Sequence, residues 1–185
     1  DYLNSFLLVF FIVGVTNSIN WIDGLDGLAA GISTIFAFGL AFLALLIGQY
    51  LLAVFLTILA FSSLGFLKMN SYPSKIIMGD GGTYFLGFTL SSASLILVNN
   101  SQEQINLISP LTIFAIPVID MLIVILKRII SGKSPLYPDR NHIHHRLLKA
   151  GLSQKKIVYL IYFFAIIQVI ISIVTVFSKH NFIIL

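Results

Sequence analysis

The 185 residues predict an all-α fold, a polytopic integral membrane helical bundle with about six transmembrane helices. Three observations carry that expectation. Composition is the first: 58% of residues are hydrophobic, 10% are charged, and mean hydropathy is +1.00. Soluble chains carry about a quarter charged residues, so a water-soluble domain is excluded. The second is six apolar stretches of helical length, and the third is the gathering of nearly all polar motifs between them on one side.

A membrane-crossing helix needs about 17 to 25 residues. The apolar segments run over 3–22, 29–47, 50–67, 84–98, 108–130 and 157–177. The fourth is the shortest and must borrow residues from its ends. Pro110 and Pro117 predict a kink in the fifth, tolerable where neighbouring helices satisfy the freed carbonyls. No internal repeat or low-complexity linker divides the chain, so it reads as one membrane domain. It has no cysteine, which removes disulfides and thiolate metal sites. It begins at Asp1 without a signal-peptide pattern, and a chain starting this way is expected to lack its beginning.

Orientation follows from Lys and Arg. With the first polar motif facing the cytoplasm, the same side holds Lys68, Lys75, Lys127, Arg128, Lys133, Arg140, Arg146, Lys149, Lys155 and Lys156. Lys179 alone lies opposite. The expected location is therefore a plasma membrane, multi-pass, with the polar loops cytoplasmic.

The first motif places Asn17, Asn20, Asp23 and Asp26 three residues apart, where a continuous helix would align them in one stripe. Gly24 and Gly27 flank Asp26 and let the backbone bend or a ligand approach. A capped helix end followed by a solvated turn is the bland alternative, but a cap needs one such residue. The second motif, Met78-Gly79-Asp80-Gly81-Gly82-Thr83, leaves one acid among glycines, with Thr83 placed to cap the next helix. It reads either as a tight turn with a solvated Asp80 or, beside the first motif, as a divalent-cation site. Oxygen donors without cysteine suit Mg²⁺, with Mn²⁺ as an alternative.

The third motif runs Pro138-Asp139-Arg140-Asn141-His142-Ile143-His144-His145-Arg146 in a long basic loop after Lys127 and Arg128. Arginine forks suit phosphate oxygens, and histidine donates hydrogen bonds or moves protons near neutral pH. A zinc site and an interfacial basic helix touching lipid headgroups are the competing readings. Asp120 is the one acid well inside an apolar segment. Such residues often mark transport pathways, which keeps a multi-pass transporter or scaffold as an alternative function. Here Asp120 is expected to pair with a neighbour or point into the cavity, without a catalytic role.

Asn17-x-x-Asn20-x-x-Asp23-Gly24-x-Asp26-Gly27, then Met78-Gly-Asp-Gly-Gly-Thr, then Ser134-Pro and the His142-Ile-His-His-Arg run resemble the polyprenyl-phosphate N-acetylhexosamine-1-phosphate transferase family, of glycosyltransferase 4 type. Within it, the chain looks closest to undecaprenyl-phosphate N-acetylglucosamine-1-phosphate transferases. The related phospho-N-acetylmuramoyl-pentapeptide transferases have three consecutive histidines where this chain has His142-Ile143-His144-His145.

The resemblance implies transfer of a sugar-1-phosphate from a UDP-N-acetylhexosamine to undecaprenyl phosphate. UMP is released, and the lipid-diphospho-sugar initiates cell-envelope polysaccharide synthesis in a bacterial plasma membrane. It implies Asp80 and Asn20 on Mg²⁺, Asp26 at the uracil ring, Asp23 near the nucleotide, and Arg128 and Arg140 on the diphosphate. It also implies that His142, His144 and His145 close over the sugar-phosphate. The catalytic set is then Asp23, Asp26, Asp80 and the three histidines, with Asn17 and Asn20 joining the substrate contacts. The implied partners are the UDP-sugar, undecaprenyl phosphate and membrane lipid, with a homodimer allowed and no nucleic acid. An upstream Asp-Asp pair found in the family is missing here. The chain is thus expected to be the C-terminal part of a longer enzyme, with little or no turnover alone.

Overall fold

The computed structural model describes residues 2–101, 105, 108–135 and 141–182, with side chains described from 5 to 177. The described residues contain helices and no strand. The reason lies in the solvent: hydrocarbon offers backbone groups no partner, and a helix satisfies them within one segment. Four helices of 19 to 21 residues come first: α1 (Tyr2–Ile22), α2 (Leu28–Leu46), α3 (Tyr50–Asn70) and α4 (Gly79–Asn99). At 1.5 Å per residue each is about 28–32 Å long, matching the hydrocarbon thickness. Next come α5 (Ile108–Ile113), α6 (Ala115–Ile130), the short α7 (Ile143–Lys149) and α8 (Gln154–Phe182).

Five of these helices, α1 to α4 and α8, are long and apolar enough to cross a membrane. The sequence predicts about six spans; the fifth apolar segment is instead broken at Phe114, between α5 and α6. Proline explains the break. Pro117 has no N–H to offer the carbonyl of Ile113, four residues back. Gln168 of α8 supplies the missing partners once its amide is oriented to match donors with acceptors: the nitrogen then lies 3.3 Å from that carbonyl and the oxygen 3.0 Å from the Ile116 N–H. The kink is therefore sealed by a neighbouring helix. Ser172 of α8 likewise donates to the Ser109 carbonyl at 2.9 Å.

Helix α2 is the hub. Its span is 78% buried against 22–44% for the other four, because α1, α3, α4 and α8 all pack on it. Small residues permit the closest approaches. A Cβ on Gly31 would lie 1.9 Å from the Tyr162 hydroxyl of α8, and one on Gly87 of α4 would lie 2.7 Å from Thr16 Cα of α1. The outward faces of α1, α3 and α8 expose Phe10, Leu51, Phe61 and Phe163, as lipid-facing surfaces should. A cavity of about 850 Å³ lies at the α2–α3 turn among Tyr50, Leu51, Phe55 and Ile58. None of the motif residues lines it, and it lies at the far end of the bundle from the polar motifs.

Candidate active site

The first motif is not one helical stripe. Helix α1 ends at Ile22, so Asn17 and Asn20 are helical while Asp23 and Asp26 lie in the turn of residues 23–27. Gly27, at the N-cap of α2, has φ 81°, in the left-handed region, and closes the turn. The turn is tied on both sides. Asp26 Oδ2 accepts from the Ser74 N–H at 3.1 Å, Asn70 Oδ1 accepts from the Gly27 N–H at 3.2 Å, and the Tyr162 hydroxyl donates to the Gly27 carbonyl. Asn70 also donates to the Ile76 carbonyl at 2.9 Å, joining the turn to the segment before α4.

The second motif is helical rather than a loop. Helix α4 starts at Gly79, placing Asp80 in its first turn, where a carboxylate is favoured by the helix dipole. Thr83 is therefore inside the helix and does not cap it; its hydroxyl donates back to the Asp80 and Gly79 carbonyls. Asn20 reaches across from α1, its Nδ2 2.9 Å from both Asp80 Oδ1 and Thr83 Oγ1. Residues sixty positions apart thus meet where α1 and α4 pack. Asn17 is elsewhere engaged, donating to the Val13 carbonyl of its own helix at 2.8 Å.

Three carboxylates share this region. Burial pushes the Asp23 carboxyl up to about 6, and the negative charges of Asp80 and then Asp26 push the same way. Asp23, Gly24, Asp26, Asn70, Ile77 and Met78 line a cleft of about 290 Å³, closed on one side by Gln154 at the start of α8. Accumulated negative charge and an all-oxygen donor set fit a hard divalent cation. No cluster of three or more His, Cys, Asp or Glu able to hold a metal occurs among the described residues. A cation here would thus need Asn20 or substrate oxygens to complete its shell.

The third motif packs onto the first. His144 is 1% exposed, and a Cβ on Gly24 would lie 2.0 Å from its Nε2. Burial lowers the His144 pKa to about 4, helped by His145 and His142 and opposed by Asp120. It is therefore neutral at physiological pH. His142 is buried too, its ring parallel to His144 at 5.8 Å and edge-on to Trp21 at 5.8 Å. Arg128 lies over that Trp21 at 4.9 Å and donates to the Pro135 carbonyl. His145, half-buried, sits 4.3 Å from His144. Pro138, Asp139 and Arg140 lie outside the described residues.

Asp120 does pair with neighbours: Oδ2 is 2.9 Å from His142 Nδ1, and Oδ1 accepts from the Ile143 N–H at 2.7 Å. Sequence reasoning missed Trp21 and Asn70, which look like ordinary helix-end residues. Only spacing to the motifs, one residue after Asn20 and eight before Met78, could have flagged them.

Known proteins resemble the chain in this same region. The glycosyl transferase family 4 pattern matches residues 1–98, which carry Asn20, Asp23, Asp26 and Asp80. A Bacillus subtilis protein named "Probable undecaprenyl-phosphate N-acetylglucosaminyl 1-phosphate transferase" is 42% identical over 168 residues, 91% of this chain and 47% of that protein. A decaprenyl-phosphate N-acetylglucosaminephosphotransferase of Mycobacterium leprae is 36% identical, covering 88% of this chain and 46% of its own length. The undecaprenyl-phosphate alpha-N-acetylglucosaminyl 1-phosphate transferase of Escherichia coli is 33% identical, covering 84% and 44%. The chain spans about half the length of these relatives. With more than half of its residues inside the family pattern, the chain belongs to glycosyl transferase family 4.

Proposed function

We propose that this protein transfers N-acetylglucosamine-1-phosphate from UDP-N-acetylglucosamine to undecaprenyl phosphate at the cytoplasmic face of a bacterial plasma membrane. One observation carries the reading. Asp23 and Asp26 line a cleft on the end of a membrane bundle, Asp80 of a distant motif lies near enough to raise the Asp23 carboxyl, and the histidine motif packs against the same turn at Gly24. The names of the relatives support the substrates, and the basic residues around the loops support the cytoplasmic orientation.

In this reaction an oxygen of the lipid phosphate attacks the sugar-bearing phosphorus of the UDP-sugar. The bond to the inner phosphate breaks, and UMP leaves. Both partners are anionic, so catalysis is chiefly alignment and charge stabilisation. Asp80 would hold Mg²⁺ or Mn²⁺ with Asn20, whose amide must turn its oxygen inward from its present Nδ2 contact. The bound cation would offset charge on the diphosphate. Asp26 and Asn70, both tied to backbone, line the cleft that would take the nucleotide, and half-buried His145, beside His144, would meet the sugar-phosphate. Apolar outer faces of the helices suit the polyprenyl tail. Asp120, the residue behind the transporter alternative, is paired through both oxygens, as the neighbour-pairing reading expects.

The test is UMP release by the full-length protein that contains these residues, in detergent with UDP-N-acetylglucosamine, undecaprenyl phosphate and Mg²⁺. Asp80→Asn should lower the rate at least ~100-fold, the scale of losing one charge-stabilising group, while the protein still inserts. Absence of UMP release with every UDP-N-acetylhexosamine supplied would overturn the proposal.

A further inference from the structure

We propose that Asp120 is a positioning residue for this transfer, fixing the His142 ring with one carboxylate oxygen and the start of α7 with the other. The proposal rests on the functional reading above but concerns a residue outside the three motifs.

Asp120 is 5% exposed, on α6, with Met121 and Val124 buried beside it. A buried carboxylate is costly unless fully hydrogen-bonded, and an apolar residue of similar volume would hold α6 in place without that cost. What the acid uniquely supplies is two acceptors in fixed directions. Oδ2 meets His142 Nδ1 at 2.9 Å, and Oδ1 meets the Ile143 N–H at 2.7 Å. An acceptor-only partner keeps the proton on Nδ1 whether the imidazole is neutral or cationic. Nε2 is then the ring nitrogen left for a substrate group. Trp21 on the edge and His144 on the parallel face hold the ring in that pose.

The second bond spreads the effect. By holding Ile143, Asp120 sets where α7 begins, and His144 two residues into that helix fills the space beside Gly24. Gly24 adjoins Asp23. One carboxylate therefore ties the histidine motif to the carboxylate turn.

Asp120→Asn separates this role from a merely structural one. The Ile143 N–H still selects the side-chain oxygen, which turns the new NH₂ toward His142 Nδ1. A donor there moves the proton of the neutral ring to Nε2. In the full-length protein in nanodiscs, long-range ¹H–¹⁵N spectra should show Nδ1–H for His142 in the wild type and Nε2–H in the variant, with thermal stability retained. His142→Asn identifies the signal. Transfer kcat should fall at least ~100-fold, with a smaller change in KM for the UDP-sugar, as when a carboxylate that sets a catalytic tautomer is lost. Asp120→Glu, which keeps an acceptor, should restore Nδ1–H and part of the rate. The double variant with His142→Asn should be no slower than the slower single variant.

Nε2–H in the wild type, or an unchanged kcat in Asp120→Asn, would overturn the proposal. If the wild type showed no transfer at all, the functional reading would fail by itself. The tautomer comparison would still decide whether Asp120 fixes His142.

Discussion

His144 occupies the space that a side chain at residue 24 would need. Its Nε2 lies where a Gly24 Cβ would come within 2.0 Å, and the ring is sealed from solvent. Gly24→Ala must therefore push back α7 or distort the turn holding Asp23 and Asp26. Transfer should fall at least ~10-fold, the cost of misplacing reacting groups by a fraction of an ångström. Gly65→Ala in α3 is the control: its Cβ meets nothing within 4 Å, and alanine favours helix by about 1 kcal/mol. Equal activity of the two variants would refute the packing argument. The sequence shows that Gly24 has no side chain, and it suggests a bend or a close approach. That the approaching group is His144, 120 residues away, is invisible there, because no local rule couples two motifs joined only through the bundle.

At the scale of elements, the break in the fifth apolar segment is the clearest case. Pro110 and Pro117 announce a kink, and helix physics says a neighbour must satisfy the freed groups. Which neighbour does so depends on the packing of α8 against α5 and α6, where Gln168 bridges Ile113 and Ile116. Gln168→Leu would leave a carbonyl and an N–H buried and unpaired, a loss of about 1–3 kcal/mol. A lower unfolding temperature in detergent, with the Asp23–Asp26 cleft unchanged, is the expected outcome. A neutral effect would mean the broken helix repairs its own backbone. The α1–α4 pair works differently. Gly87 lets the two backbones approach, and that approach brings Asn20 within 2.9 Å of Asp80.

Over the whole molecule, Asp23 and His144 give opposing responses to pH. The Asp23 carboxyl is raised from 3.8 to about 6, so its contribution to stability is full at low pH and is lost as pH rises through about 6. His144 is lowered from 6.5 to about 4, so its contribution is full above 6.5 and is lost as pH falls through about 4. Between those limits the two slopes offset each other. Asp23→Asn removes one of them. Thermal unfolding of that variant should rise more steeply with pH than the wild type, and its stability at neutral pH without divalent cations should exceed the wild type's. Adding Mg²⁺ should stabilise the wild type by mass action and do so less in Asp80→Asn. If Asp23→Asn proved less stable than the wild type at neutral pH in the absence of Mg²⁺, burial and neighbouring charge would not penalise the Asp23 carboxylate.

The class of molecule, and which residues stand out as polar in an apolar chain, are legible in the residues themselves. Hydrocarbon permits few backbone solutions, so apolar length alone predicts membrane helices, and Asp80 or His144 is conspicuous because polar groups are rare in such a chain. Local chemistry at the ends was less legible. The even spacing of Asn17 to Asp26 suggested a helix, but α1 stops at Ile22, where Gly24 and Gly27 leave the turn free to tie itself to Ser74, Asn70 and Tyr162. Thr83 likewise moved from a cap into the first turns of α4. Tertiary structure alone decided which polar groups meet: Asn20 with Asp80, His144 with Gly24, and Asp120 with His142. Those pairings depend on how close two helices can pack and on which of their faces turn inward. Both are set by side chains spread over the whole bundle, and no motif contains them.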